Sequence, residues 1–381
     1  MASTPMDVDE APPSLTSLNT TPSLNITRTL GVNVPSTTKV SDVISAFRPT
    51  KLFHRDDVKE GKPQPHILSI DFDDPGELCM TSESDETIQI YNVKDGRHDK
   101  SLMSKKYGVK LAKFTHTSSS IIYASTKQND AIRYLATHDN SFIRYFDGHE
   151  ASVTSLALHP GSDNFISCSL DNTVRMWNIG SRQWVAKLLL PGPHIAAWDP
   201  SGNVFAVALP ASGSVILYDY RNYQKAPFAV FDVMKVKGPA ELEAAYRGWT
   251  ALEFSNDGKH LLLGSRLGGH FLLDAFDGTL KAYLKKPGGT RRLAVGEIEG
   301  GSVESSGDCC FSPDGRYILS GAKKDLLVWD TLATPDHNKI LETAHVLDDK
   351  REAAVVAYNP RYNMLATADQ ELLFWIPDPH A

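Results

Sequence analysis

Seven times along the chain a short apolar run closes on an aromatic or large aliphatic residue. These residues are Tyr91 (TIQIYNV), Tyr134 (AIRYLA), Trp177 (TVRMWNI), Tyr218 (SVILYDY), Leu273 (HFLLDA), Trp329 (DLLVWDT) and Trp375 (ELLFWIP). The successive spacings are 43, 43, 41, 55, 56 and 46 residues, and a recurrence near 40–45 residues marks a repeated multi-stranded unit. Every unit also carries a turn between its first two runs: Asp74-Pro75-Gly76, Thr117-Ser118-Ser119, Pro160-Gly161, Asp199 to Gly202, Asn256-Asp257-Gly258, Pro313-Asp314-Gly315 and Asn359-Pro360. Three or four short strands joined by tight turns make a sheet with two apolar faces, which can be buried only by stacking on copies of itself. The pattern therefore predicts an all-β ring of seven such sheets.

The best-formed unit is Gly148 to Asn178, GHEASVTSLALHPGSDNFISCSLDNTVRMWN. A Gly-His pair precedes the first run, Asp171 sits in the turn after the second, and Trp177 ends the third, which is one blade of a WD-repeat β-propeller in outline. His149, a serine of the second strand (Ser167 or Ser169, with Ser169 taken as the member), Asp171 and Trp177 have the order of a buried hydrogen-bond tetrad. The same residue types could compose a catalytic triad. The repeat explains each position, however, and no G-x-S-x-G turn accompanies them, so a structural role is expected.

The last unit reaches its third strand near Leu372–Trp375 and leaves no room for a fourth before Ala381. An open edge there would leave the ring unclosed. Ile44 to His54 (ISAFRPTKLFH) is expected to supply that outer strand, and Pro49 is tolerable because an outermost strand has one unpaired edge. Residues 1–40 hold 13 Ser or Thr and 5 Pro without periodicity, and are expected to be a disordered tail preceding a propeller over residues 41–381. The two long spacings point to insertions at Asp232 to Gly248, with a possible helical turn in AELEAAYRG, and at Lys281 to Asp308.

Composition narrows the function. A net charge of −7 argues against a chain that coats nucleic acid. No run of 18 apolar residues suggests a membrane span, and Met1 to Val34 has no signal-peptide pattern. The four cysteines (Cys79, Cys168, Cys309, Cys310) lack metal-ligand spacing and fall in apolar runs, as buried thiols in a reducing compartment would. Phosphate-binding glycine loops and clustered metal ligands are absent from the sequence, so neither an enzyme nor a cofactor is expected.

The middle of the chain resembles one family. SKKYGVKLAKFTH (Ser104 to His116), DAIRYLATHDNSFIRYFDGH (Asp130 to His149), FISCSLDNTVRMWN (Phe165 to Asn178), LYDYRNYQKAPFAVF (Leu217 to Phe231) and TALEFSNDGKHLLL (Thr250 to Leu263) are similar to the WD-repeat subunit shared by COMPASS-type histone lysine methyltransferase complexes and the mRNA cleavage, polyadenylation and termination machinery. The likeness runs from about Ser45 to Pro377. It implies a nuclear, non-catalytic scaffold, monomeric within hetero-complexes. Such a scaffold would bind the N-terminal region of a methyltransferase and, separately, polyadenylation and phosphatase complex subunits. Direct sequence-specific nucleic-acid binding is not implied. An alternative is a substrate receptor of a cullin-type ubiquitin ligase, because Tyr218-Asp219-Tyr220-Arg221 approximates a W-D-x-R element.

Function is expected on the rim made by the loops between blades and by the turns between second and third strands. The summed charge of these loops is roughly −5, so the rim as a whole is no anion trap. Two local groups are candidate partner-binding sites: Lys105, Lys106, Tyr107 and Lys127 where blades one and two meet, and Arg247, Trp249, Arg266, Lys323 and Lys324 around blades five and six. Either would suit an acidic or phosphorylated peptide, with Trp249 as apolar anchor. The acidic stretch Glu83 to Glu86 is a complementary candidate for holding an arginine of a partner.

Overall fold

The computed structural model describes residues 38–380 except 57, 59–60, 62, 193, 236–247, 266–267, 287–306 and 323. Its strands form seven separate sheets, antiparallel except for one short parallel pair in the fifth, which make a seven-bladed β-propeller. The aromatic or aliphatic positions that define the repeat all fall on third strands, from Thr87–Asn92 in blade one to Leu372–Pro377 in blade seven. All the turns named above join first to second strands.

Blade three shows why these sequences fold this way. Its second and third strands, Asn164–Ser169 and Thr173–Asn178, are buried on almost every residue. Only the outer strand Trp184–Leu189 is mostly exposed. Sheets covered on both faces read as nearly continuous apolar runs rather than as alternation, and the cover here is the neighbouring blades. Phe146 of blade two, for instance, packs edge-on to Phe165 and Trp177 of blade three at centroid separations of 5.0 and 5.7 Å.

Closure follows the expected route. Phe47–Phe53 pairs antiparallel with Leu372–Pro377, Phe47 opposite Pro377 and Phe53 opposite Leu372, and so supplies the outer strand of blade seven. The register shifts between Pro49 and Lys51, where proline offers no N–H to a ladder. Two boundaries differ from expectation. Residues 44–46 form a 3₁₀ turn following the helical turn Val40–Val43, so the strand starts at Phe47. Moreover, Val40, assigned to the tail by composition, is buried with Ile44, Phe47 and Trp375, and Asn363 Nδ2 donates to Thr38 O at 3.0 Å. A single buried side chain in a polar stretch carries no periodic signal, so composition could not mark it as part of the fold. The rest of the tail lies outside the described residues.

The expected insertions also resolve differently. Asp232 ends the outer strand of blade four and Val233–Lys235 is a 3₁₀ turn, while AELEAAYRG falls almost wholly outside the described residues. Lys281 to Lys285 is not inserted chain but most of the outer strand of blade five, Leu280–Lys285. Blade five has a fifth strand besides: Ile340–Leu341, from the connection within blade six, pairs in parallel with Tyr283 and Leu284. All four cysteines are free and buried. Among the described residues no helix is long and apolar enough to cross a membrane.

Candidate interaction surface on the loop rim

The polar cluster of blade three was the one constellation suggestive of chemistry. His149 Nδ1 lies 2.9 Å from Asp171 Oδ2 and its Nε2 lies 2.6 Å from Ser167 Oγ. Trp177 Nε1 donates to the same hydroxyl at 2.8 Å. The serine of the tetrad is therefore Ser167, not Ser169. Ser169 Oγ donates to Ala151 O at 2.7 Å and accepts from Asp171 N at 3.1 Å, bracing the loop instead. The physical reason is depth: Trp177 stands opposite Phe165, two residues from Ser167, whereas Ser169 stands opposite Thr173 at the loop end of the strand.

Ser, His and Asp are thus in line, yet Ser167 is 0% exposed. A nucleophile needs a substrate within reach, and this hydroxyl is enclosed. Burial pushes the His149 imidazole below its ordinary value despite the pull of Asp171. Burial by itself would raise the Asp171 carboxyl, but hydrogen bonds from Thr173 and His149 hold it down at about 2. Ser167→Ala orphans the Trp177 indole N–H and one imidazole nitrogen, and should cost about 1–3 kcal/mol in denaturant titration for each partner left unsatisfied. Because His149 binds its proton more weakly folded than unfolded, its stabilising contribution is complete above the unfolded value near 6.5 and is lost as pH falls through the folded one. Thermal melts of wild type between about pH 7 and pH 5 should therefore show a steeper loss of stability than those of His149→Phe.

Other blades replace the tetrad with different chemistry. In blade seven Trp375 Nε1 donates to Thr367 Oγ1 at 2.9 Å. In blade six His270, borrowed from blade five, places Nε2 2.8 Å from Ser320 Oγ, which also receives Lys286 Nζ at 3.1 Å. Spacing within a single repeat gave no signal for the Ser320 cluster, since its partners come from different blades.

On the rim, Lys105, Lys106, Tyr107 and Lys127 are together, tied by the Tyr107 carbonyl, which accepts from Lys127 N at 2.8 Å. Their charges do not stand alone. Lys127 Nζ pairs with Glu86 at 2.7 Å, Lys105 Nζ reaches Asp85 O at 3.2 Å, and Arg55 engages Glu83, Asp85 and Thr87. The basic group and the acidic stretch, two separate candidates in sequence, form one surface of mixed charge across blades one and two. Lys106 has no carboxylate partner among the described residues; its Nζ lies 5.1 Å from the Tyr107 ring centroid. Beneath Tyr107 sits Arg133, 2% exposed, its guanidinium 3.4 Å from that ring and 4.9 Å from Tyr145. Ser125 and Asn129 accept from it at 2.9 and 2.8 Å. Arg55 and Arg133 were not among the sequence candidates, because each meets partners from other strands. The ion pairs of Lys105 and Lys127 are exposed and so worth at most about 1 kcal/mol each, and Lys105→Glu combined with Lys106→Glu should leave the melting transition nearly in place. Any partner affinity that changes in this variant is then a property of the surface, and unchanged affinity for every partner would remove this group from consideration.

The second group is not assembled as expected. Trp249 is 0% exposed, the first residue of the innermost strand of blade five, packed among Phe231, Phe271 and Tyr283. It cannot anchor a partner. The sequence placed it in a loop because the preceding insertion hides where the strand begins. Lys324 is exposed at the junction of blades six and seven, its carbonyl accepting from Asp349 N and Lys350 N. Arg247, Arg266 and Lys323 lie outside the described residues. No group of three or more His, Cys, Asp or Glu is placed to hold a metal among the described residues.

Comparison with known proteins accords with this architecture. The family model "WD domain, G-beta repeat" matches residues 140–178 and 301–330. COMPASS component SWD2 of Saccharomyces cerevisiae is 34% identical over 357 residues, covering 92% of this chain and 99% of that protein. WD repeat-containing protein 82 of Drosophila melanogaster is 36% identical over 89% of this chain and 96% of its own length. Set1 complex component swd2 of Schizosaccharomyces pombe is 31% identical over 88% and 98%. With near full-length similarity in each case and the same repeat running through the whole propeller, the chain belongs to the WD-repeat family of which COMPASS component SWD2 and WD repeat-containing protein 82 are members.

Proposed function

We propose that the chain is a non-catalytic scaffold subunit of a nuclear Set1/COMPASS-type complex, holding the N-terminal region of a histone lysine methyltransferase. In separate assemblies it serves the mRNA cleavage, polyadenylation and transcription termination machinery, including its phosphatase subunits. The end-to-end match to a relative named as a COMPASS component carries the first part. The second rests on the strings Ser104 to His116 and Asp130 to His149, which resemble the shared subunit. A binding role suits the geometry: the triad-like cluster of blade three is enclosed, while the mixed-charge surface at Lys105, Lys106 and Lys127 is open to a partner.

The ubiquitin-ligase alternative rests on Tyr218-Asp219-Tyr220-Arg221 alone. There Asp219 accepts from Arg221 N at 2.9 Å and from Asn222 Nδ2 at 2.7 Å, so formation of the local 3₁₀ turn already accounts for the carboxylate. Affinity purification of the full-length chain from nuclear extract tests the proposal. Methyltransferase subunits and, in a separable pool, polyadenylation subunits are expected. Recovery of neither sinks the scaffold reading, and a cullin adaptor in their place establishes the alternative.

A further inference from the structure

Where the ring closes, the loop rim carries a small polar cavity of about 220 Å³ between blades seven and one. Three segments wall it: His54 and Gln64 between the closing strand and blade one, Arg351 and Glu352 leading into the innermost strand of blade seven, and the turn from Asp369 to Glu371 between the second and third strands of that blade. Only folding brings them together.

Hydrogen bonding in this wall is unbalanced. Glu352 Oε1 is buried without a hydrogen-bond partner, and so is Gln64 Oε1. Gln64 Nε2 donates to Arg55 O at 3.3 Å, which orients the amide so that its acceptor end is the one left over. A buried acceptor is costly until a donor reaches it. The cationic groups nearby are engaged elsewhere: Arg351 Nε donates to Glu371 Oε2 at 2.9 Å, His54 Nδ1 lies 3.1 Å from Glu371 Oε1, and His66 Nδ1 lies 3.0 Å from Asp369 Oδ1. Lys286 is within electrostatic reach of Glu352, but its Nζ donates to Ser320 Oγ at 3.1 Å. Charge is unbalanced as well. Glu352, Asp369 and Glu371 face Arg351 as the only lysine or arginine among the described residues of the wall. A neighbouring cavity of about 480 Å³ also has an orphaned oxygen, Asp349 Oδ1, but there Arg48, Lys350 and Arg351 stand against Asp348 and Asp349. The smaller cavity is the one short of both donors and positive charge.

We infer that this smaller cavity receives the guanidinium of an arginine side chain presented by a protein partner. Its volume lies below the roughly 300–1,000 Å³ of sites that enclose a whole small molecule, which suits a single side chain. A guanidinium offers five N–H donors in a planar fork, so one group can serve several acceptors of a wall at once, whereas an ammonium has three donors on a point charge. A metal ion does not fit, since among the described residues no group of three or more His, Cys, Asp or Glu is placed to hold one. Water can satisfy the two acceptors but brings no charge to offset the carboxylates. The cavity is separate from the surface at Lys105, Lys106 and Lys127, and its assignment does not depend on which complex the chain serves.

The test titrates isotope-labelled full-length protein with N-acetyl-arginine amide, and in parallel with the corresponding lysine and citrulline amides, reading backbone amide chemical shifts. The arginine compound should bind at least about 10-fold tighter than either counterpart, citrulline keeping the shape without the charge. The shifts should centre on Gln64, residues 351–352 and residues 369–371. Glu352→Gln, which keeps the side-chain shape and removes the charge, should weaken arginine binding at least about 10-fold, whereas Lys105→Glu with Lys106→Glu should leave it unaltered. Comparing the three amides on wild type requires no variant to fold. Absent binding, equal binding of arginine and either counterpart, shifts confined to other loops, or undiminished affinity of Glu352→Gln overturns the proposal. Recovery of nuclear partners by affinity purification is a separate readout, so failure of this site and failure of the scaffold reading are told apart.

Discussion

Phe47→Ala is expected to destabilise the propeller by about 3–5 kcal/mol, the cost of emptying a large buried aromatic site. Phe47 is wholly buried, meets Tyr358 edge-on at 5.9 Å, and belongs to a cluster with Val40, Ile44, Leu373 and Trp375. It is also the first residue of the strand that joins the two ends of the described chain into one sheet. A cavity here loosens the closure of the ring as well as removing packing. Leu52, in the same strand but 38% exposed, is the internal control, and Leu52→Ala should cost less than about 1.5 kcal/mol. Denaturant titrations of the two variants check this; similar losses would mean that closure does not depend on the Phe47 end of the strand.

Trp249→Ala should cost a similar amount, about 3–5 kcal/mol, for a reason that bears on function. As a rim anchor, Trp249 would lose partner affinity on truncation while the fold remained intact. As the buried start of the innermost strand of blade five, it should lose stability first, and binding only in proportion to the unfolded fraction. Measuring affinity at a temperature where the variant remains folded separates the two. Undiminished stability with lost affinity would contradict the burial described here.

How much of this was legible in the sequence depended on whether the information lay along the chain or between its parts. The seven third strands and their turns were readable because each blade repeats one local pattern of apolar runs and tight turns. The closing strand was readable because an unpaired blade-seven edge demands a partner and Ile44 to His54 has the residues for one. The tetrad was nearly readable, with one failure. Ser167 and Ser169 are two apart and share a face of the strand, so alternation could not separate them; only the position of the Trp177 indole selects Ser167. Family similarity added the direction of function, which the blades themselves do not encode.

The rim was the least legible part. Lys105, Lys127, Asp85 and Glu86 looked like opposing candidate sites, yet folding brings blade one against blade two and pairs the charges across the junction. Arg133 reads as an ordinary strand residue until Tyr107, Phe142 and Tyr145 close around it. The fifth strand of blade five comes from a connection in blade six with no strand-like length of its own. By itself the sequence determined the repeat, the number of blades and how the ring closes, because those follow from local periodicity and from the need to bury two-faced sheets. Only the tertiary structure decided which charges remain unpaired, which tryptophan is buried and which sheet edges stay open, because each depends on residues distant in the chain meeting across a blade boundary.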